Sequence, residues 1–272
     1  MTTPLALTVD DGVATVTIDN PPINLFDLGL YLAMVDMAQR LAVDPDVRVV
    51  VLRSATPGFF IAHFDVSLIQ LLPTDAPPAM ELNDFHVMCE AFRTMPKATI
   101  AVIEGRVGGG GSELALSCDM RFAALGKAVF NQPEVALGIL PGGSGTVRLS
   151  RLMGRSRTME AILGCDDVDA ELAERWGWVN RSLPPDELWP FVDRLARRIA
   201  SFPTHAVQAA KASILRAEKG VVDDLLFEGD SFSGTLGQPS TRALLQAFMD
   251  RGGQTVEGES RLGELAGELA GD

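Results

Sequence analysis

Residues 5–18 alternate apolar and polar positions around Asp10-Asp11-Gly12. A period of two predicts a β-hairpin, LALTV returning as VATVTI, with an Asp-Gly turn. Asn20-Pro21-Pro22 breaks the pattern. Leu30, Met34, Met37 and Leu41 then recur at helical spacing and predict a helix over 27–42, ended by Asp44-Pro45. The run VRVVVLRS (47–54) is apolar almost throughout and bounded by turn residues, as in a strand covered on both faces. A loop is expected over 55–67 (ATPGFFIAHFDVS), and PTDAPP (73–78) reads as flexible. Next come a helix over 79–94, a strand over 98–105, a helix over 110–117, strands over 118–124 and 128–134, and a helix over 144–153. Strands alternating with loops and helices define an α/β core.

Beyond residue 156 the spacing becomes mostly helical: 156–163, 169–176, 186–201, 204–218, 221–232 and 239–250. The segment 252–272 carries five acids and one base, with a weak apolar stripe at Leu262, Leu265 and Leu269. It is expected to be a solvated, partly ordered tail; the alternative is a short amphipathic helix docked on a neighbouring subunit.

With 272 residues, 47% of them hydrophobic, the chain can bury a full core. No apolar run reaches the roughly 18 residues of a membrane span. The N-terminus lacks a basic segment followed by a long apolar one, so neither a secretory signal nor a membrane partner is expected. A net charge of −13 argues against nucleic acid, which requires a basic face. It leaves anionic small ligands open, because helix N-termini and loop amides hold oxyanions without net positive charge. Cys89, Cys118 and Cys165 have no metal-like spacing and read as reduced core thiols of a cytoplasmic protein. No HExxH or CxxC metal motif and no GxSxG nucleophile elbow is present. His86 and His205 fall in helical patterns, and His63 has no obvious partner in the sequence.

The candidate chemistry lies in two glycine-rich segments that each hold one glutamate. GGGGSELAL (108–116) contains Glu113, and NQPEVALGILPGGSGTVRL (131–149) contains Glu134. Four glycines at a strand-to-helix junction let something approach the backbone, or let the helix pack closely on a neighbouring strand. Each carboxylate sits among small or apolar residues. Bare amides beside paired carboxylates suit acid/base chemistry next to a carbonyl whose oxygen gains negative charge.

These segments, with FFIAHFDVS (59–67), resemble the crotonase superfamily, the enoyl-CoA hydratase/isomerase family, over residues 5–250. The resemblance implies a spiral of ββα units with a helical C-terminal oligomerisation region. Divided accordingly, the chain has a core over 1–195, a helical region over 196–256 and an acidic tail over 257–272. It implies backbone oxyanion donors at Phe64 and Gly110, and catalytic glutamates at Glu113 and Glu134. Ala62, Asp65, Val66, Ser67, Gly109 and Gly142 would line the substrate site. It further implies hydration of a trans-2-enoyl-CoA in fatty-acid or related acyl-CoA metabolism, with no metal and no cofactor beyond the coenzyme A of the substrate. The assembly implied is a homotrimer or a hexamer of paired trimers. The alternatives are a Δ3–Δ2 enoyl-CoA isomerase working on Glu134 alone, and a non-catalytic acyl-CoA-binding subunit. Two departures stand out. The family's Ala-Gly-Ala-Asp loop reads Ala62-His63-Phe64-Asp65, followed by Val66 and by Ser67 where lysine is common, and Thr241–Arg251 lacks a strong basic cluster.

Overall fold

The protein is described by a computed structural model covering residues 3–74 and 80–269. Its ten strands, in chain order, are β1 (Leu5–Asp10), β2 (Val13–Ile18), β3 (Val49–Ser54), β4 (Phe59–Ile61), β5 (Ala98–Ile103), β6 (Arg106–Gly108), β7 (Met120–Ala124), β8 (Val129–Asn131), β9 (Val168–Asp169) and β10 (Arg181–Leu183). The larger sheet runs β1-β2-β3-β5-β7-β10 and the smaller β4-β6-β8-β9. Among the described strands, only the β1–β2 hairpin and the long-range pair β8–β9 are antiparallel. The chain therefore repeats one move three times: a strand in the large sheet, a short strand in the small sheet, then a helix. The expected ββα spiral is this repeat.

The continuous apolar strands are covered on both faces, as their composition requires. Val50, Leu52, Ala101 and Ile103 belong to a core that includes the helices Leu28–Val43, Asp84–Thr94 and Gly109–Ser117. Val49, Val51, Ile100 and Val102 belong to a second core with Leu188, Val192 and Ala196 of the helix Pro185–Ala200. The hairpin at 5–18 pairs in the expected register, Asp10 with Val13 across the turn. The three cysteines are free and buried. Most of the segment read as flexible, 73–78, falls on residues 75–79, which lie outside the described residues.

Two expectations are corrected. The 55–67 segment is not only loop; it supplies β4 and a short helix, Val66–Ile69. The C-terminal segment is not a solvated tail over 256–269. It forms the helices Val256–Ser260 and Leu262–Glu268, and Leu262, Leu265 and Leu269 are buried in a cluster with Val66, Leu137 and Phe248 of the same chain. Those three leucines give the charged segment enough apolar surface to dock. No described helix is long and apolar enough to cross a membrane.

Candidate active site

The glycines of the first segment divide their work. A Cβ on Gly108 would stand 2.7 Å from the Ala62 carbonyl oxygen, and one on Gly111 2.5 Å from that of Ile61. These two let the start of the helix Gly109–Ser117 lie against the chain leaving β4. A Cβ on Gly109 (φ +42°) would stand 2.6 Å from Glu134 Oε1 and 3.1 Å from His63 Cβ; one on Gly110 would stand 3.1 Å from Phe64 Cβ and 3.5 Å from Phe64 N. Gly109 and Gly110 thus face the predicted site. They occupy the first helical turn, whose N–H groups have no intrahelical acceptor.

The aim of Phe64 is set by its neighbour Phe26, with which it forms an isolated parallel bridge. Phe26 N donates to the His63 carbonyl at 2.9 Å, and Asp65 N donates to the Phe26 carbonyl at 3.2 Å. The His63 carbonyl and the Phe64 N–H share one trans peptide plane and point in opposite directions. With the carbonyl held by Phe26, the Phe64 N–H faces away from that strand-like segment.

Glu113 is fully enclosed by its all-buried helix. Its Oε1 accepts from Gly143 N and Gly145 N, each at 2.8 Å. Glu134 opens a 3-10 turn and is 9% exposed, and no protein donor reaches its Oε2. Burial, then the charges of Glu134 and Glu228, hold the Glu113 carboxyl well above the ordinary range against the pull of the two amides. Burial also pushes Glu134 up to about 7; its own backbone N–H and His63 oppose the rise. Within such a pair, hydrogen bonding decides where a shared proton rests. The two amides favour the carboxylate form of Glu113, while no protein donor reaches Glu134 Oε2, which leaves that oxygen able to carry a proton.

Several contributors carry no motif in the sequence. Glu228, on the helix Val221–Leu236, accepts from Ser144 N at 2.6 Å, Thr146 N at 2.9 Å and Val147 N at 3.2 Å. It also bonds the Thr146 hydroxyl and His86 Nε2. A remote carboxylate thus caps the helix Gly145–Met153, whose own N-cap, Ser144, makes no side-chain cap bond. His63 does have a partner: its Nε2 lies 2.9 Å from Glu259 Oε1. Phe85 packs edge-on to Phe26 and Phe64 and stacks on Tyr31, forming an aromatic wall beside Gly110 and Gly143. Gln132 is fully buried and neither end of its amide has a protein partner. Only His63 had a local cue, its place in the 59–67 segment; Phe85, Glu228 and Glu259 are remote in sequence from the segments they serve.

The remaining predicted positions are distributed as follows. Ala62 is buried against Gly108. Asp65 caps the short helix that follows, accepting from Ser67 N and Ser67 Oγ. Ser67 is exposed, and Val66 belongs to the apolar cluster that includes Leu137. A Cβ on Gly142 would meet the Phe232 ring at 2.5 Å; the amides on Glu113 come from Gly143 and Gly145 instead. The structure therefore brings Glu113, Glu134, Phe64, Gly109 and Gly110 together, and turns Val66 and Ser67 to core and cap. A cavity of about 450 Å³ opens elsewhere, lined by Arg93, Arg121, Arg148, Arg151 and Lys211 but by neither glutamate. Among the described residues no cluster of histidine, cysteine or acids is arranged to hold a metal.

A family model described as enoyl-CoA hydratase/isomerase matches residues 8–258, and the chain belongs to that family. It is 32% identical over 253 residues to a crotonyl-CoA hydratase of Syntrophomonas wolfei, covering 91% of this chain and 95% of that one. It is 32% identical over 252 residues to a short-chain-enoyl-CoA hydratase of Clostridium acetobutylicum, covering 90% and 94%. Among solved structures, a Streptomyces avermitilis chain provisionally assigned as an enoyl-CoA hydratase superposes with a TM-score of 0.90 at 38% identity, covering 99% of each chain.

Proposed function

We propose that the protein is an enoyl-CoA hydratase that adds water syn across the 2,3 double bond of a trans-2-enoyl-CoA. The observation that carries the reading is the pair of buried carboxylates, one held by the Gly143 and Gly145 amides and one whose Oε2 has no protein donor, beside the Phe64 and Gly110 backbone. The thioester oxygen rests on the N–H groups of Phe64 and Gly110. Glu113 takes a proton from water as the water oxygen bonds to C3. The π electrons shift towards C2 and the thioester oxygen, whose growing charge the two amides stabilise. Glu134 then delivers its proton to C2. No step needs a metal or a bound redox group. The aromatic wall of Phe85 and Phe64 favours short acyl chains. Self-association through the C-terminal helices is supported by the helix Thr204–Ala217, which buries no residue, and by exposed Ile214 and Phe227.

The test is the absorbance of the conjugated enoyl-thioester on mixing protein with crotonyl-CoA. Loss of the band with formation of 3-hydroxybutyryl-CoA is expected, and Glu113→Gln should slow it at least about a hundredfold. If the band persists with every chain length while a 3-enoyl-CoA is converted to its 2-enoyl isomer by wild type and by Glu113→Gln alike, the protein is the isomerase instead. Acyl-CoA binding with neither conversion would identify a non-catalytic binding subunit.

A further inference from the structure

The loop that carries Phe64 is gripped on both sides by residues nearly two hundred positions later. On one side, His63 Nε2 meets Glu259 Oε1 at 2.9 Å, with Glu259 1% exposed and His63 4% exposed. On the other, Gln254 Nε2 donates to Asp65 Oδ1 at 2.8 Å. The two grips are joined, because Gln254 N also donates to Glu259 Oε1 at 2.7 Å. His63 Nδ1 lies 2.8 Å from the Phe64 carbonyl oxygen, and the Phe248 ring packs edge-on to His63 at 5.7 Å. The gripping segment is itself rigid: Gly258 N donates to Thr255 Oγ1, and a Cβ on Gly258 would lie 2.1 Å from the Gly252 carbonyl oxygen. Behind it, the leucines at 262, 265 and 269 anchor the segment in the core.

A buried ion pair is weak evidence for stability, since two charges must leave water to form it. A buried pair attached to the residue before Phe64, tied to a second bond on the residue after it, has a use in geometry. Phe26 fixes the peptide plane from its own side of the loop; Asp65 is also held locally by Ser67 N and Ser67 Oγ, and the His63 ring nitrogens bond the Phe64 carbonyl and Glu259.

We propose that segment 252–269 is a positioning element of the oxyanion loop, Glu259 holding His63 and Gln254 holding Asp65 so that the Phe64 N–H keeps its aim. This inference rests on the reading of Phe64 and Gly110 as the oxyanion donors. Glu259, Gln254 and His63 act through Phe64 and do not touch the reacting atoms. The thioester oxygen draws on the Phe64 N–H most when it carries charge, so loosening the grip should reduce kcat more than it raises KM.

The experiment uses the full chain with Glu259→Gln and Gln254→Ala. Hydration kinetics with crotonyl-CoA are read together with the infrared carbonyl band of bound butyryl-CoA labelled with carbon-13 at the thioester carbon. In the wild type, two donors should shift that band to lower frequency relative to free butyryl-CoA. Glu259→Gln should lose most of the shift and at least about tenfold in kcat, with KM within about threefold, because a misplacement of about 1 Å can cost about a hundredfold. Gln254→Ala, which leaves the buried pair in place, should lose part of both. Should Glu259→Gln fail to fold, Gln254→Ala decides. Variants that keep the full band shift and kcat, whatever their melting temperature, overturn the inference and leave an anchor of stability only. A wild type that binds butyryl-CoA without any shift overturns the oxyanion reading and this inference together. A wild type that shows the shift but no hydration rejects only the proposed reaction, and loss of the shift in the variants then still supports the positioning role.

Discussion

Replacing Gly143 with alanine strikes the site through one methyl group. The added Cβ would lie 2.4 Å from Glu113 Oε2, 2.5 Å from Phe85 Cε1 and 2.6 Å from Phe85 Cδ1. Carbon atoms pack at about 3.5 Å, so the ring or the methyl must move by about 1 Å. Neither neighbour is free to give. Phe85 is wedged between Phe26, Phe64 and Tyr31, and Glu113 Oε1 is tied to the amides of Gly143 and Gly145. A displacement of about 1 Å at a catalytic carboxylate predicts about a hundredfold loss in kcat, or about 2.7 kcal/mol of barrier. Overpacking should also destabilise the fold by about 1–3 kcal/mol. The assay is the decay of the enoyl-thioester band under saturating crotonyl-CoA, with melting temperature recorded in parallel. Gly234→Ala is the control, since its Cβ meets nothing within 4 Å inside the helix Val221–Leu236. A Gly143→Ala protein within about threefold of wild-type kcat would refute the placement of Glu113 as the group that handles water.

Four further outcomes follow from the same geometry. Glu134, raised to about 7, should give kcat/KM a limb that falls as pH rises past about 7, and Glu134→Gln should remove that limb along with most of the activity; a flat profile across that range would count against its role as the acid. Burial pulls the His63 pKa down, but Glu259, the Phe64 carbonyl and Glu134 together lift it from 6.5 to about 9. Its folded-state pKa is raised, so its contribution, about 3 kcal/mol, is complete below pH 6.5 and fades as pH rises through about 9; thermal melts across that window should decline in the wild type and flatten in His63→Ala. Glu228→Ala strands three backbone N–H groups and His86, and should cost at least about 3 kcal/mol, seen as a melting temperature lower by about 6 °C or more; an unchanged melt would show the cap to be dispensable. Phe85→Ala should raise the ratio of kcat/KM for an eight-carbon over a four-carbon enoyl-CoA by at least about tenfold, and an unchanged ratio would place the acyl chain elsewhere.

The parts of this molecule that were legible in its sequence share one property: the information is local. The helix Leu28–Val43 buries the expected Leu30, Met34, Met37 and Leu41, with Ala38 beside them, because a period of 3.6 survives whatever the helix packs against. The glycine runs marked both glutamate segments because a Cβ there would collide with named neighbours. What was missed depends on partners far along the chain. β9 and β10, two and three residues long, are strands only because β8 and β7 pair with them. Glu228 reads as one more acid on a helix; its meaning comes from the bare N-terminus of the helix Gly145–Met153. Gly142 and Gly143 are indistinguishable in sequence; only the fold shows that Gly142 packs on Phe232 while Gly143 faces Phe85 and donates to Glu113. The C-terminal acids outweighed three leucines in the reading of composition, while in the fold those leucines found a cluster to join.

The bond between His63 and Glu259 spans 196 residues of chain. Ribosomes add roughly 5–20 residues per second, so roughly 10–40 s pass between the emergence of one partner and the other. Through that interval the sheets can close and Phe26 can already hold its side of the loop, while the other side waits. On the proposed role of segment 252–269, a chain that ends before residue 252 carries both glutamates but lacks the Glu259 and Gln254 contacts to the loop that would hold a substrate's charge. The loop would then receive its last restraints only as residues 252–269 are translated, so synthesis order would set when the centre is complete.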